Sequence, residues 1–165
     1  MPFEKTTYVY EKPESNIRIT KMPIWFEETS AEGNQENGYI SWETINHHDE
    51  IWGAIAKIDL EYSKLERSKF FHPKEVQKTI AQFNAIDITV SKKENDWINS
   101  HELTIWYGTR KKLIRKRFYR ENSIHAIFYC DMSERLFSIH ASMIEVHYEG
   151  FKPFILNAFK SITCH

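Results

Sequence analysis

The segment from Asn122 to Met143, NSIHAIFYCDMSERLFSIHASM, constrains the fold more than any other stretch of the chain. Ile124, Ala126, Phe128 and Cys130 alternate along its first half; Phe137, Ile139, Ala141 and Met143 alternate along its second. A period of two marks a strand that buries one face. Two such strands flank the polar stretch 131–134, so the segment predicts a β-hairpin. One strand carries its apolar residues at even numbers and the other at odd numbers. The apolar faces therefore coincide only if even positions pair with odd ones. A four-residue turn then sets Cys130 against Arg135 and His125 against His140. Directly opposed residues have Cβ atoms about 5 Å apart. The two imidazoles are predicted to be neighbours on the face away from Phe128 and Phe137.

The remaining pattern extends this hairpin into a sheet. Residues 1–15 are polar, contain Pro2 and Pro13, and read as a loose arm able to add an edge strand. Residues 16–28 read as a strand interrupted at Pro23. Residues 27–38, EETSAEGNQENG, read as a loop ending in an Asn-Gly turn, and residues 39–44 as a short strand. Trp52, Ala54, Ala56, Ile58, Leu60 and Tyr62 share one strand face; Lys57, Asp59 and Glu61 share the other. Pro73 and Glu75 open a helix whose apolar stripe is Val76, Ile80 and Phe83 and which ends near Ala85. Ile88 and Val90 begin a short strand that fades into the polar SKKENDWINS loop. A meander follows, with strands over 102–107, 113–119, 123–130 and 136–143 and turns at 108–109, 121–122 and 131–134. Phe151, Phe154, Ile155, Ala158, Phe159 and Ile162 define a closing amphipathic helix, with Pro153 in its first turn. The expectation is one α+β domain spanning residues 1–165. Its core is a single antiparallel sheet of about six or seven strands with helices over one face.

The hairpin FYCDMSERLFSIHAS followed by the helix GFKPFILNAFKSI resembles the PsbP-like family of small α/β/α sandwiches. The resemblance covers the chain from about residue 100 onward and is a pattern of elements. It implies a non-catalytic binding or scaffold protein that meets a protein partner or small ligand through a sheet face or loops. It carries no catalytic residue over to this chain.

Charge narrows the partners. The 22 basic and 23 acidic residues give a net charge of −1, which sets up no global field toward nucleic acid or membrane. No apolar run approaches the roughly 18 residues of a spanning helix, and MPFEKTTYVYEKPE has no apolar signal core. These features read as a cytoplasmic protein, in which two cysteines are expected as reduced thiols. Walker, GxGxxG, GxSxG and HExxH motifs are missing from the sequence, and five glycines leave little material for phosphate-cradling loops.

Several groups could still carry chemistry. His125 and His140 are a candidate metal pair, or two imidazoles on a partly solvated face. Cys130, Cys164 and His165 could bind zinc or, if oxidised, form a disulfide; otherwise Cys130 is a small buried hydrophobe and the C-terminal thiol is frayed. Together these five residues make a metal-binding or metal-dependent enzyme the alternative to the binding reading, which itself expects no cofactor. Arg110, Lys111, Lys112, Arg115, Lys116, Arg117 and Arg120 form a basic run around one hairpin. Arg115 and Arg117, with Trp106 nearby, are the candidate ligand contacts for a polyanion or single strand. Strand alternation splits that run between two faces, which argues against nucleic acid. His47-His48-Asp49-Glu50 reads as a polar turn. Asp59 and Glu61 share a strand face, as an acid/base pair or as partners of Lys57.

Overall fold

The hairpin forms as its alternation dictates. The computed structural model describes residues 5–45, 48–49, 53–86, 88–98 and 100–165. Its strands are β1 (Thr7–Lys12), β2 (Ile17–Pro23), β3 (Phe26–Gly33), β4 (Gly38–Thr44), β5 (His48–Asp49), β6 (Gly53–Ala54) and β7 (Ala56–Lys64), then β8 (Thr89–Ile98), β9 (His101–Ile114), β10 (Arg117–Cys130), β11 (Arg135–Ile144) and β12 (Ile162–Thr163). The helices are α1 (His72–Ala85) and α2 (Glu145–Lys160). Strands β10 and β11 pair antiparallel, with Cys130 against Arg135, Phe128 against Phe137 and His125 against His140.

These strands sit inside a seven-stranded antiparallel sheet of order β3-β4-β7-β11-β10-β9-β8. The α+β class holds, but the expected single sheet does not. Strands β1, β2 and β12 form a second, three-stranded sheet, and β5 and β6 form a short ladder. Pro23 ends β2, and the turn before Phe26 carries the chain from one sheet into the other. The helices also divide. Helix α2 packs on the inner face of the large sheet, where Ile155 and Phe159 meet the core made by Phe128, Phe137, Ile139 and Leu60. Strand β2 joins the same core through Ile17, Ile19 and Met22. Helix α1 lies on the outer face, where Val76 and Ile80 pack with Ile88, Trp106 and Ile127.

Several boundaries differ from the sequence pattern for local reasons. The N-terminal arm is tied down from Thr7: the Tyr10 ring meets Trp42 edge-on at 4.9 Å, and its hydroxyl donates to Glu28 at 2.5 Å. Residues 27–33 are strand, not loop, because an edge strand can be polar on both faces. The same holds for β8, which occupies the expected SKKENDWINS loop through Ile98. The strand expected over 113–119 does not exist. Strands β9 and β10 run 14 residues each and turn at Arg115 and Lys116, both with positive φ. Gly108 is a packing residue in mid-strand: a Cβ there would come within 2.6 Å of Ile88 Cγ2. Helix α2 begins at Glu145, so Pro153 lies in its interior, on an exposed side. Of the 47–50 cluster only the backbone of His48 and Asp49, as β5, is among the described residues; His47, Glu50 and Trp52 fall outside them, as do the side chains of His48, Asp49 and Phe83.

Buried Arg135 joins the two sheets. It is 1% exposed, and its guanidinium donates to the carbonyls of Ser15, Asn16 and Cys164 and to Ser133 Oγ at 2.5–3.1 Å. Its charge lies over the Tyr62 and Phe137 rings at 5.2 and 4.9 Å. A buried cation with its donors satisfied fixes geometry that apolar packing alone leaves loose.

Candidate functional site

Register builds a polar row across the outer face of the large sheet. Ser41 pairs with Asp59, Asp59 with His140, His140 with His125, and His125 with Trp106. Residues paired across strands share a face, so β4, β7, β11, β10 and β9 each contribute one member. The His125 and His140 rings stack at 4.1 Å between centroids. Burial, with the neighbouring His140 as a lesser cause, holds the His125 imidazole down to about 2. Burial pushes His140 in the same direction, against the opposing pull of Asp59. Both rings are therefore neutral near pH 7. Nε2 of His125 lies 3.1 Å from Ser123 Oγ. Nε2 of His140 is buried and has no hydrogen-bond partner among the described residues.

This row floors a cleft under α1. A cavity of about 540 Å³ is lined by Tyr39, Ser41, Asp59, Glu61, His125, Ser138 and His140 from the sheet, and by Gln82 and Ile86 from the helix side. Ser41 Oγ donates to Asp59 at 2.5 Å and holds that carboxylate in place. A second cavity of about 390 Å³ shares Tyr39, Glu61, Gln82 and Ser138 and continues along α1 past Glu75 and Lys78. The volume is that of a small-molecule site. Asp59 and Glu61 give it negative charge, and among the described residues no Lys or Arg lines the larger part. The sequence placed His125, His140, Asp59 and Glu61 on outward faces. It gave no sign that Tyr39, Gln82 and Ile86 join them; β4 sets Tyr39 beside Glu61, and α1 and the residue after it bring in Gln82 and Ile86.

The second candidate cluster lies at the far end of the hairpin, on the inner side. Cys130 and Cys164 are joined as a disulfide with Cα atoms 6.5 Å apart, where the sequence pointed to reduced thiols. The closing helix returns the chain along β2 as β12, which delivers Cys164 to the end of β10. His165 Nδ1 lies 3.5 and 3.4 Å from the two sulfurs, and His101 Nε2 lies 3.6 Å from Cys164 Sγ. The ligand atoms of His101, Cys130, Cys164 and His165 all lie within 4.8 Å of one another. Burial lowers the His101 pKa, opposed by Asp131, whose Oδ1 sits 3.6 Å from Nδ1. The five expected metal ligands thus fall into two places. His125 is five residues from Cys130 on β10, roughly 16 Å along the strand, and on the opposite face. His101 was missed, because the strand expected over 113–119 stood between it and Cys130, whereas β9 pairs directly with β10. The register Phe128–Leu103, continued by two residues, sets Cys130 across from His101.

The basic hairpin does not form one site with Trp106. Trp106 is 0% exposed beneath α1, while Arg115 and Arg117 sit at the exposed tip. Trp106 is eight residues from the end of β9, on the order of 26 Å away. Glu121 pairs with Arg110 and Lys112 at 3.0 and 2.9 Å, and Glu145 pairs with Arg120 at 3.3 Å. The tip keeps Arg115, Lys116 and Arg117, beside Phe118 and Leu113, which are 73% and 63% exposed.

The fold, two main sheets with an inner and an outer helix, is PsbP-like, as the C-terminal pattern implied. The chain is similar to the solution structure of cyanobacterial PsbP (CyanoP) from Synechocystis sp. PCC 6803. The TM-score is 0.66 and the identity 9%, over 99% of this chain and 95% of that one. It is also similar to the Pseudomonas aeruginosa protein PA94, of unknown function, with TM-score 0.59 and 7% identity, over 95% and 96% of the two chains. At these identities the likeness is one of fold. No protein-family description and no curated protein matches the sequence. Among the described residues, no helix is long and apolar enough to cross a membrane.

Proposed function

We propose that the chain is a non-catalytic binding protein and that the outer-face cleft takes a small organic cation, an ammonium group on a short hydrocarbon body. The observation that carries this is His140, which lines the cleft with Asp59 and whose buried Nε2 has no hydrogen-bond partner among the described residues. A buried polar atom of this kind calls for a partner. A neutral imidazole nitrogen accepts from an ammonium, and the Asp59 and Glu61 carboxylates balance its charge. Tyr39 and Ile86 offer the apolar wall for the hydrocarbon. Binding fits better than acid–base catalysis, because a general base works best with a pKa near the operating pH; burial moves His125 far below it and lowers His140 as well.

The test is calorimetric titration with butylammonium, with butyrate as the control. Butylammonium binds and butyrate does not. Asp59→Asn weakens butylammonium by about tenfold, the worth of one charge-assisted hydrogen bond of roughly 1.5 kcal/mol. Equal binding of the two probes, or an Asp59→Asn variant as good as wild type, contradicts the reading. A cytoplasmic home belongs to the same proposal for the reduced chain, whereas the Cys130–Cys164 bond fits an oxidising compartment. The intact mass of the protein isolated under thiol-blocking conditions distinguishes the two.

A further inference from the structure

Residues from three distant parts of the chain meet at one point: His101 opens β9, Cys130 ends β10, and Cys164 and His165 follow β12. We propose that the reduced chain binds one zinc ion through His101, Cys130, Cys164 and His165, and that oxidation of the two thiolates to the disulfide releases it.

The argument is geometric. Zinc–sulfur bonds of about 2.3 Å and zinc–nitrogen bonds of about 2.0 Å at tetrahedral angles put sulfur and nitrogen ligands about 3.5 Å apart. Three sulfur–nitrogen separations here are 3.4, 3.5 and 3.6 Å. The whole set lies within 4.8 Å. The one edge that must open is between the two sulfurs, which separate to about 3.8 Å in a tetrahedral zinc site. Two thiolates and two imidazoles neutralise the ion and close its coordination, the pattern of a structural rather than catalytic zinc.

The surroundings hold the ligands in place. Cys130 is fixed by the β10–β11 register, and the Cys164 carbonyl accepts from Arg135 at 2.9 Å. Asp131 stands 3.6 Å from His101 Nδ1, which leaves Nε2 directed at the sulfur. A carboxylate behind a metal-bound imidazole is a recurrent outer contact that fixes the ring and raises its basicity. His101, Cys130 and Cys164 are buried and His165 is exposed, so the ion has an entry side.

The redox step balances. A dithiol reductant gives two electrons and two protons to the Cys130–Cys164 bond and leaves as its own disulfide. The two thiols then lose two protons as zinc binds. In the reverse direction the two thiolates give two electrons to hydrogen peroxide, the sulfur–sulfur bond forms, peroxide takes up two protons to give two waters, and Zn2+ departs.

The full chain is reduced anaerobically with a phosphine, exposed to zinc chloride, desalted and assayed for metal. The reduced chain keeps one equivalent and melts higher; the oxidised chain keeps none. Cobalt in place of zinc gives a thiolate charge-transfer band and the visible bands of a tetrahedral ion. Peroxide releases the zinc and restores the disulfide mass. His165→Ala, at an exposed position, lowers zinc affinity at least tenfold. His140→Ala leaves it unchanged, which separates this site from the cleft. Reduced wild-type protein that is folded by circular dichroism yet holds well under one equivalent of zinc and shows no cobalt–thiolate band overturns the proposal. So does undiminished zinc in a Cys130→Ser/Cys164→Ser variant.

Discussion

The two faces of the seven-stranded sheet are built from the same strands and do different things. On the inner face, Phe128, Phe137, Ile139, Ala141 and Leu60 are buried in one core with residues of α2 and the smaller sheet. On the outer face the neighbouring positions are Ser41, Asp59, Ser138, His140 and His125, and α1 covers them only in part. Close-packed apolar surface supplies stability and leaves no room for a ligand. A half-covered polar row does the reverse. Side chains alternate along a strand, so one sequence can satisfy both demands, one at even positions and one at odd.

The largest expected effect tests the inner face. Phe159→Ala removes a fully buried ring and costs about 3–5 kcal/mol. Val76→Ala, on the helix that covers the outer face, removes about two methylene equivalents and costs roughly 1.5 kcal/mol. Denaturant midpoints measure both. Equal losses would remove the contrast between the faces. A chain cut after Gly150 loses most of the α2 packing and does not fold cooperatively.

The next effect is acid sensitivity, and it belongs to the outer face. His125 has a pKa of about 2 in the folded chain against 6.5 unfolded. Below pH 6.5 the unfolded chain binds the extra proton. Stability is therefore full above about pH 6.5 and falls as the pH drops toward 2, by about 1.4 kcal/mol per unit for this one group. At pH 5 the expected loss is about 2 kcal/mol. His140 adds to it in the same direction. His125→Phe keeps a ring against His140 and flattens this acid limb. A wild type whose stability is level from pH 7 to pH 5 would show that these imidazoles are not held neutral.

The smallest effect lies outside both faces. Lys116→Ser and Arg117→Ser at the hairpin tip change stability by no more than about 0.5 kcal/mol, because exposed charges contribute little. Binding to heparin at about 0.15 M salt is weak, since Glu121 and Glu145 neutralise Arg110, Lys112 and Arg120. Sub-micromolar binding there would move the functional surface to the tip.

What the sequence revealed follows from the range of each signal. Strand parity is local, so the His125–His140 and Cys130–Arg135 pairs were readable from one hairpin. The closing helix was readable from the spacing of Ile155, Ala158 and Phe159. Edge strands β3 and β8 escaped because neither is forced to alternate. The turn at Arg115–Lys116 escaped because it uses positive φ without the glycine or asparagine that signals it, while Gly108 offered a false turn. Strand β12 has two residues and no pattern, yet it brings Cys164 and His165 to Cys130. The metal-ligand cluster therefore depends on closure of the whole chain, and the cleft depends on where α1 docks. Neither is encoded in one segment.

Proton NMR of the imidazole Cε1–H groups, recorded from pH 4 to 8 with and without butylammonium, tests the assignment of the outer face most directly. The expected result is that His125 and His140 show no titration near pH 6.5, that their resonances move when butylammonium is added, and that those of His101 and His165 stay in place. Titration of His125 and His140 with midpoints near 6.5, or a butylammonium response confined to His101 and His165, would contradict it.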